Sequence, residues 1–384
     1  MLKAMQFCFA VVAGLFSPPI GWIAGIFPLH WRHAGGKLDT AMTGITAFAG
    51  AVFVAISYAS RRKFAESDDF SHYFVNFQDT LSNHAPIFFY GQGIEVGIPL
   101  VNYCLGLIFG SLSPWQLMFL YQIMFFGLLI WIVSRIKIEG IPNSLLISFV
   151  LVAFPYILST LLIRQCYSSL FLFLALSEVK MSRRVVALAL AFAFQMSALP
   201  LYLFFSIAKK LNGLWFLFFL VLIVFVLTQF QYIAEIVMDA RWFYGQDKFE
   251  YYLNPGGGYV SSDLSPFLMY ATIVYLGALI KSYRKKWSFN GDEKIIITAF
   301  VFSLVALPIP LLGLRVCLMV YLFIGVYFVK IAREGSLLLV RTLFILLLIH
   351  QLKALFLSSA EADFGLWFEY PWYSISPGYF FKVY

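Results

Sequence analysis

The stretch LLIRQCYSSLFLFLALSEVKMSRRVVALALAFAFQMSALPLYL, residues 161–203, decides the fold class of this chain. Two apolar runs flank a short turn that carries several basic residues, and a full charge, Arg164, stands at the start of the first run. Apolar runs of roughly 18–20 residues are typical of helices that span a membrane. Basic residues concentrate in the loops on the cytoplasmic side of such helices. The stretch therefore predicts membrane-embedded helices joined by a cytoplasmic turn.

The composition of the whole chain indicates the same class. Of 384 residues, 61% are hydrophobic and only 12% are charged, and the mean hydropathy is +0.85. So few charges could not cover the surface of a water-soluble protein of this length. The basic residues behind the net charge of +8 are scattered in short loops, which is typical of membrane topology and not of nucleic-acid binding. We predict an all-α, polytopic integral membrane protein that contacts membrane lipids and no nucleic acid.

The apolar segments set the expected number of spans at about 10–12. The N-terminal segment is expected to be one retained helix, bent at its two adjacent prolines, and not a cleaved signal peptide. The clear candidates are 4–29, 40–59, 115–134, 144–162, 165–179, 212–230, 264–281, 295–312, 316–329 and 337–354.

Two further segments are assigned by the positive-inside rule. If 98–112 crossed the membrane, the basic turns at 135–137 and 180–184 would lie outside, whereas an amphipathic helix along the outer surface returns both to the inside. The later basic turns lie inside if 185–207 consists of two half-helices that meet near 195–197. One ordinary span with one exception to the rule is the alternative. A broken backbone at membrane depth needs protein or a water-filled cavity around it.

This topology predicts a single transmembrane domain over 1–384 with its larger loops on the outer face. The first outer loop, 60–114, would carry juxtamembrane helices. The second outer loop is 231–263, and the C-terminal tail, 355–384, lies on the same side.

The first outer loop combines acids, arginines and aromatic residues. Arginine binds phosphate in a planar, bidentate way, and a carboxylate can accept a proton from an attacking sugar hydroxyl. Asp69 and Glu95 are therefore candidate general bases, and Arg61, Asp68 and Tyr73 are candidate substrate contacts. A single residue of this kind is more often a solvated loop residue, but acids among aromatics at helical spacing indicate an interfacial helix.

Arg164 and Arg315 each stand at a helix junction that the topology places on the outer side. An arginine beside a membrane segment is costly and usually has a partner or a function, although its side chain could also reach out to the lipid headgroups. Both are candidate catalytic residues, and Gln165 adds an amide that could hold a sugar hydroxyl or a phosphate oxygen.

The second outer loop offers Arg241 and Tyr251 as candidate substrate contacts, because aromatic faces pack against sugar rings. An interfacial loop anchored by its aromatic residues is the alternative.

Metal and cofactor sites are not expected. The four cysteines have neither paired nor metal-type spacing, and no cluster of His, Cys, Asp and Glu has the spacing of metal ligands. No glycine pattern of a nucleotide-binding loop is present. We predict no disulfide, no metal and no cofactor.

Several of these segments resemble the EpsG-like, Wzy-type polysaccharide polymerases. SDDFSHYFVNF (67–77) followed by IEVGIPLVNYCLGLIFG (94–110) resembles the first outer loop of that family. The 161–203 stretch is similar to the block in which an Ile-Arg-Gln start and a basic turn precede a Phe-His-x-Ser-Ala signature. Here that signature has Gln195 in place of the histidine, so a role as a base could not survive at this position whereas hydrogen bonding could. LGLRVCLMVYLFIGVYF (312–328) resembles the late arginine helix.

The resemblance implies a GT-C-like membrane glycosyltransferase with a periplasmic active site in the bacterial inner membrane. Its substrate would be an undecaprenyl-diphosphate-linked oligosaccharide, and the reaction would be O-antigen or exopolysaccharide polymerisation without a metal. A chain-length-determinant protein is an implied partner. The alternatives are a flippase for the same lipid-linked sugar, and an O-antigen ligase or another GT-C transferase. The absence of an internal sequence repeat and the large acidic loops favour the enzyme over the flippase.

Overall fold

The computed structural model describes residues 2–31, 37–60, 69–82, 87, 95–154, 156–178, 180–229, 232, 265–284, 289–306, 312–321 and 323–357. Within these ranges the chain is helical apart from turns and a single β-bridge between Ile138 and Ile141. The helices are α1 (Leu2–Phe16), α2 (Pro18–Trp31), α3 (Lys37–Ser60), α4 (Asp69–Leu81), α5 (Gly97–Phe109), α6 (Pro114–Arg135), α7 (Asn143–Ala153), α8 (Tyr156–Leu161), α9 (Ile163–Ser177), α10 (Met181–Phe194), α11 (Ala198–Lys210), α12 (Gly213–Thr228), α13 (Ser265–Arg284), α14 (Gly291–Val305), α15 (Leu312–Tyr321), α16 (Ile324–Gly335) and α17 (Leu337–Leu357).

The chain divides into two compact units, 1–198 with 336–384, and 199–335. In the first unit, α1 and α2 pack on α3, which in turn packs on α6, α7 and α8. Aromatic side chains fill the centre of this unit. Trp22 donates a hydrogen bond from Nε1 to the Tyr156 hydroxyl at 2.7 Å, and Phe126 stacks on the Tyr156 ring. The buried indole N–H thus has its partner inside the core.

The N-terminal segment differs from the single bent helix that hydropathy predicted. The chain reverses at Ser17, and α2 lies antiparallel against α1. The contact from Gln6 Nε2 to the carbonyl oxygen of Ala24, at 3.5 Å, shows this arrangement. Two glycines explain the close approach, since a Cβ on Gly21 would lie 2.3 Å from Gly14 Cα. Small residues at such crossings let helix backbones meet. The expectation of one helix over 4–29 was wrong.

Other predicted spans are also interrupted. The segment 144–162 is divided between α7 and α8, and the segment 316–329 between α15 and α16. The 185–207 segment consists of two helices, α10 and α11, with residues 195–197 outside both. The predicted break near these residues is confirmed, and the position of the two helices in a membrane stays a prediction.

One described helix has both the length and the hydropathy of a membrane span. Among the described residues, only α6 is both long and apolar enough to cross a bilayer, while several shorter helices are strongly apolar. One of them, α5, has 13 residues over Gly97–Phe109 and is about 20 Å long. The total of 10–12 spans and the position of α5 along the membrane surface stay predictions.

In the second unit, α13 packs against α14, α15 and α16, and α12 packs against α14. One end of this unit is charged. Lys281 pairs with Glu293 at 3.0 Å, both side chains being buried, and Lys330 pairs with Asp292 at 2.5 Å. Glu293 precedes the span predicted over 295–312, and it closes a capping box with Asn290 at the start of α14.

Candidate functional site

Helices α9 and α10 form a hairpin that places Arg164 opposite Gln195. The Ser168 hydroxyl donates to the carbonyl oxygen of Ala191 at 2.9 Å, and the rings of Tyr167 and Phe194 stack with centroids 5.0 Å apart. These contacts fix the register of the two helices. The start of α9 and the end of α10 therefore lie at the same end of the hairpin.

The end of α10 creates a free backbone donor. Gln195 has extended backbone angles, φ −157° and ψ 122°, which stop the helix after Phe194. In an unbroken helix, the N–H of Met196 would donate to a carbonyl four residues earlier. Here it donates instead to Glu95 Oε1 at 3.0 Å. The interruption at 195–197 thus supplies a hydrogen bond to a carboxylate.

Glu95 joins the two halves of the site through its two carboxylate oxygens. While Oε1 accepts from Met196, Oε2 accepts from Arg164 Nη1 at 2.5 Å. The Glu95 side chain is only 4% exposed, whereas that of Arg164 is 33% exposed. The anion of this pair is therefore sealed inside the protein and the cation keeps an open side.

The pair also balances the charge at the start of α9. Arg164 lies in the first turn of this helix, where backbone N–H groups lack partners and the helix dipole is positive. A cation at this position is unfavourable by itself, and a nearby carboxylate offsets it. The exposed side of Arg164 is the part of this pair that a second anion can reach.

Glu95 is held in place by close packing two residues further along the chain. Gly97 begins α5 directly against Phe194, where a Cβ would lie 2.7 Å from the phenylalanine ring. Phe194 is itself stacked between Tyr167 and Phe171. Only glycine fits this contact without a displacement. The Glu-x-Gly spacing in the sequence thus has a packing reason.

A buried polar group on α5 fixes that helix from its other side. Asn102 is fully buried and donates from Nδ2 to Asn76 Oδ1 at 2.6 Å and to the carbonyl oxygen of Tyr73 at 3.0 Å. It accepts from the Tyr121 hydroxyl. One amide therefore ties α4, α5 and α6 together.

The glutamine that replaces the signature histidine is buried beside this arrangement. Gln195 is 8% exposed, and its Oε1 has no hydrogen-bond partner in the described part of the chain. A buried acceptor without a donor is costly. It is available to a hydroxyl or amide donor of a ligand. Gln165, also buried, lies next to Arg164 in α9.

The structure brings together three of the sequence-predicted site residues, Glu95, Arg164 and Gln195, with Gln165 adjacent in the chain. Tyr73 lies in α4 and contributes its backbone oxygen to Asn102. The remaining candidates cannot be placed: Asp68, Arg61, Arg241 and Tyr251 lie outside the described residues, and for Asp69 and Arg315 only the backbone, in α4 and α15, is described.

Sequence reasoning missed the Met196 N–H, Gly97 and Asn102. The Glu-x-Gly spacing and a lone asparagine inside an apolar helix were the signals that could have found two of them. No group of three His, Cys, Asp or Glu residues that could hold a metal lies among the described residues.

The described part of the chain is thus helical, and it carries a buried carboxylate paired with an arginine beside the break between α10 and α11. The sequence model of the EpsG family matches residues 46–373, and the chain belongs to this family. Membership indicates a membrane protein with a glycosyltransferase-like, polysaccharide polymerase-like function. No curated protein and no solved structure matches the chain.

Proposed function

We propose that the chain is an O-antigen or exopolysaccharide polymerase that joins undecaprenyl-diphosphate-linked oligosaccharide repeat units. It would act as a GT-C-like transferase at the periplasmic face of the bacterial inner membrane. Membership of the EpsG family supports the reaction class. The observation that carries the assignment to a site is the pairing of a sealed carboxylate, Glu95, with a partly open guanidinium, Arg164, at the 195–197 break.

The reaction needs a group that takes a proton and a group that stabilises the leaving diphosphate. The acceptor hydroxyl would lose its proton to the Glu95 carboxylate while its oxygen bonds to the anomeric carbon of the donor sugar. The bond from that carbon to the diphosphate oxygen breaks, and undecaprenyl diphosphate leaves with the electron pair. Arg164 would stabilise the negative charge that develops on the diphosphate.

Gln195 would orient the substrate through hydrogen bonding. Its buried Oε1 can accept from a sugar hydroxyl, and such a contact would relieve the cost of an acceptor left without a donor. Because the guanidinium supplies the positive charge, the proposed mechanism uses no metal. Arg315 is proposed as a second group on the diphosphate from its sequence position alone.

Chain length on the cell surface tests this function. In a strain whose surface polysaccharide depends on this protein, Arg164→Gln should leave single repeats on the lipid acceptor and no long chains. The exposed Arg183, at the start of α10, provides the matched control, and Arg183→Gln should leave long chains unchanged. If Arg164→Gln cells keep their long chains, the site assignment is wrong. If no repeat reaches the surface, the flippase is the better function.

A further inference from the structure

In the resting protein, the Glu95–Arg164 pair occupies the two groups that the proposed reaction needs. Both oxygens of the Glu95 carboxylate are engaged, one by Arg164 at 2.5 Å and one by Met196 N–H at 3.0 Å. With a donor on each oxygen and only 4% of its side chain exposed, this carboxylate is blocked from the hydroxyl of an acceptor sugar. An arginine neutralised by a carboxylate likewise has less charge to offer a diphosphate. The resting pair therefore suppresses both functional groups at once.

We infer that Arg164 exchanges anions: Glu95 holds it in the resting protein, and the diphosphate of the donor lipid takes it on binding, which releases Glu95 to act as the base. This inference rests on the proposed function and adds to it the order of events. The guanidinium, one third exposed, is the member of the pair that an incoming anion can reach.

The geometry allows the exchange without loss of the base from the site. When Arg164 turns to the diphosphate, the backbone N–H of Met196 still holds Glu95 Oε1, and Gly97 still packs on Phe194. The guanidinium then no longer occupies Oε2 of the buried Glu95, and this oxygen can accept a proton. The acceptor hydroxyl supplies that proton as its oxygen attacks the anomeric carbon. A donor sugar must therefore be bound before the base becomes active.

This order would protect the donor from wasteful attack. With no diphosphate present, Glu95 stays paired and does not activate a water or a stray hydroxyl. With the donor seated, proton acceptance and leaving-group stabilisation are switched on by the same movement of one side chain. The pair thus couples donor binding to catalysis.

Binding of undecaprenyl diphosphate to the purified full-length protein in detergent tests the exchange. Glu95→Gln keeps the shape of the side chain and an acceptor for Met196, but it removes the charge that competes for Arg164. We expect binding to tighten at least about tenfold, since close charge pairs commonly couple by more than the roughly 1.4 kcal/mol that tenfold represents. Polymerisation should be lost. The exposed Glu139 gives the matched control, and Glu139→Gln should change neither quantity.

A double-mutant cycle separates exchange from simple repulsion between Glu95 and the diphosphate. If Glu95 acts by holding Arg164, then Glu95→Gln should not tighten binding when Arg164→Gln is also present. Equal tightening in both backgrounds would show repulsion alone and overturn the exchange. So would unchanged binding by Glu95→Gln, or polymerisation that survives in this variant.

Two further outcomes keep the inference and the proposed function distinguishable. If Arg164→Gln abolishes binding and polymerisation but Glu95→Gln binds no tighter, the exchange fails while the function stands. If Arg164→Gln binds and polymerises like the unmodified protein, the function itself fails at this site. Should Glu95→Gln not fold, Glu95→Asp retains the charge on a shorter side chain that cannot keep both contacts. Donor binding should then tighten by a smaller factor, and unchanged binding would count against the exchange.

Discussion

Gly97→Ala should disrupt the site by a small steric change that leaves every charged group in place. The added Cβ would lie 2.7 Å from Cγ and Cδ1 of Phe194 and 3.0 Å from its Cα. Carbon atoms in contact prefer about 3.5–4.0 Å, so the start of α5 and the end of α10 must separate by roughly 1 Å. Phe194 cannot yield easily, because Tyr167 and Phe171 stack on its ring. The free energy of unfolding should fall by about 1–3 kcal/mol, the usual cost of overpacking.

The functional loss should exceed this cost in stability. A separation of roughly 1 Å lengthens the Glu95–Met196 hydrogen bond from 3.0 Å to about 4 Å, beyond hydrogen-bonding range. We expect a folded protein that makes few long chains. Denaturant titration of the purified protein and the length distribution of the polysaccharide measure the two effects. Gly127→Ala is the matched control, since among the described residues its Cβ would meet Phe48 alone, at 3.9 Å. Normal stability and normal chain length in Gly97→Ala would refute the packing argument.

Three further outcomes are expected. Asn102→Leu leaves buried partners such as the Tyr121 hydroxyl without their hydrogen bonds, so the free energy of unfolding should fall by about 2–6 kcal/mol in denaturant titration. Lys281→Met strands the buried Glu293 carboxylate and should cost about 3–5 kcal/mol, whereas replacing both residues by methionine should restore most of the loss. Burial raises the pKa of Glu293 above its ordinary 4.5, an effect that Asn290 and Lys281 offset only in part. The folded state therefore binds the extra proton, stability should fall as the pH rises from 4.5 through the raised pKa, and Glu293→Gln should remove this slope.

Charge made a break in the apolar segment 185–207 one of two alternatives, the other being a single span with one exception to the positive-inside rule. Basic residues flank the segment at both ends, and a segment that crosses the membrane cannot keep both ends on one side. Two half-helices satisfy this condition, and the structure has α10 and α11 with residues 195–197 between them. The Lys and Arg residues that indicate topology lie in the loops, where they can be read directly from the sequence.

The N-terminal hairpin could not be predicted in the same way. One long bent helix and two short antiparallel helices have the same hydropathy, and nearly the same apolar pattern. What separates them is the contact between Gly14 and Gly21, which depends on the chain having already reversed. The sequence pattern supports either arrangement until the packing is known.

The site shows the same limit at longer range. Glu95 and Arg164 were both singled out by residue type, but nothing in the sequence indicated that they pair, since 69 positions separate them. Their meeting depends on the register of the α9–α10 hairpin and on the contact of Gly97 with Phe194. The Met196 N–H lay beyond residue-type reasoning altogether, because a backbone donor has no signature of its own. Its availability follows only from the end of α10 at Phe194.

The position of Glu95 changes the meaning of the glutamine at position 195. From the sequence, Gln195 in place of the signature histidine looked like the loss of a base. In the structure, the backbone N–H of the next residue, Met196, holds the Glu95 carboxylate at the same break, and the proposed base needs no histidine. Gln195 is then left with hydrogen bonding, for which its buried Oε1 has no partner among the residues that the structure describes. If the roles are divided in this way, a histidine at position 195 cannot take over the role of Glu95. Gln195→His should not rescue a Glu95→Gln protein, because an imidazole at position 195 does not replace the carboxylate that pairs with Arg164, and restored chain length in that double variant would count against it.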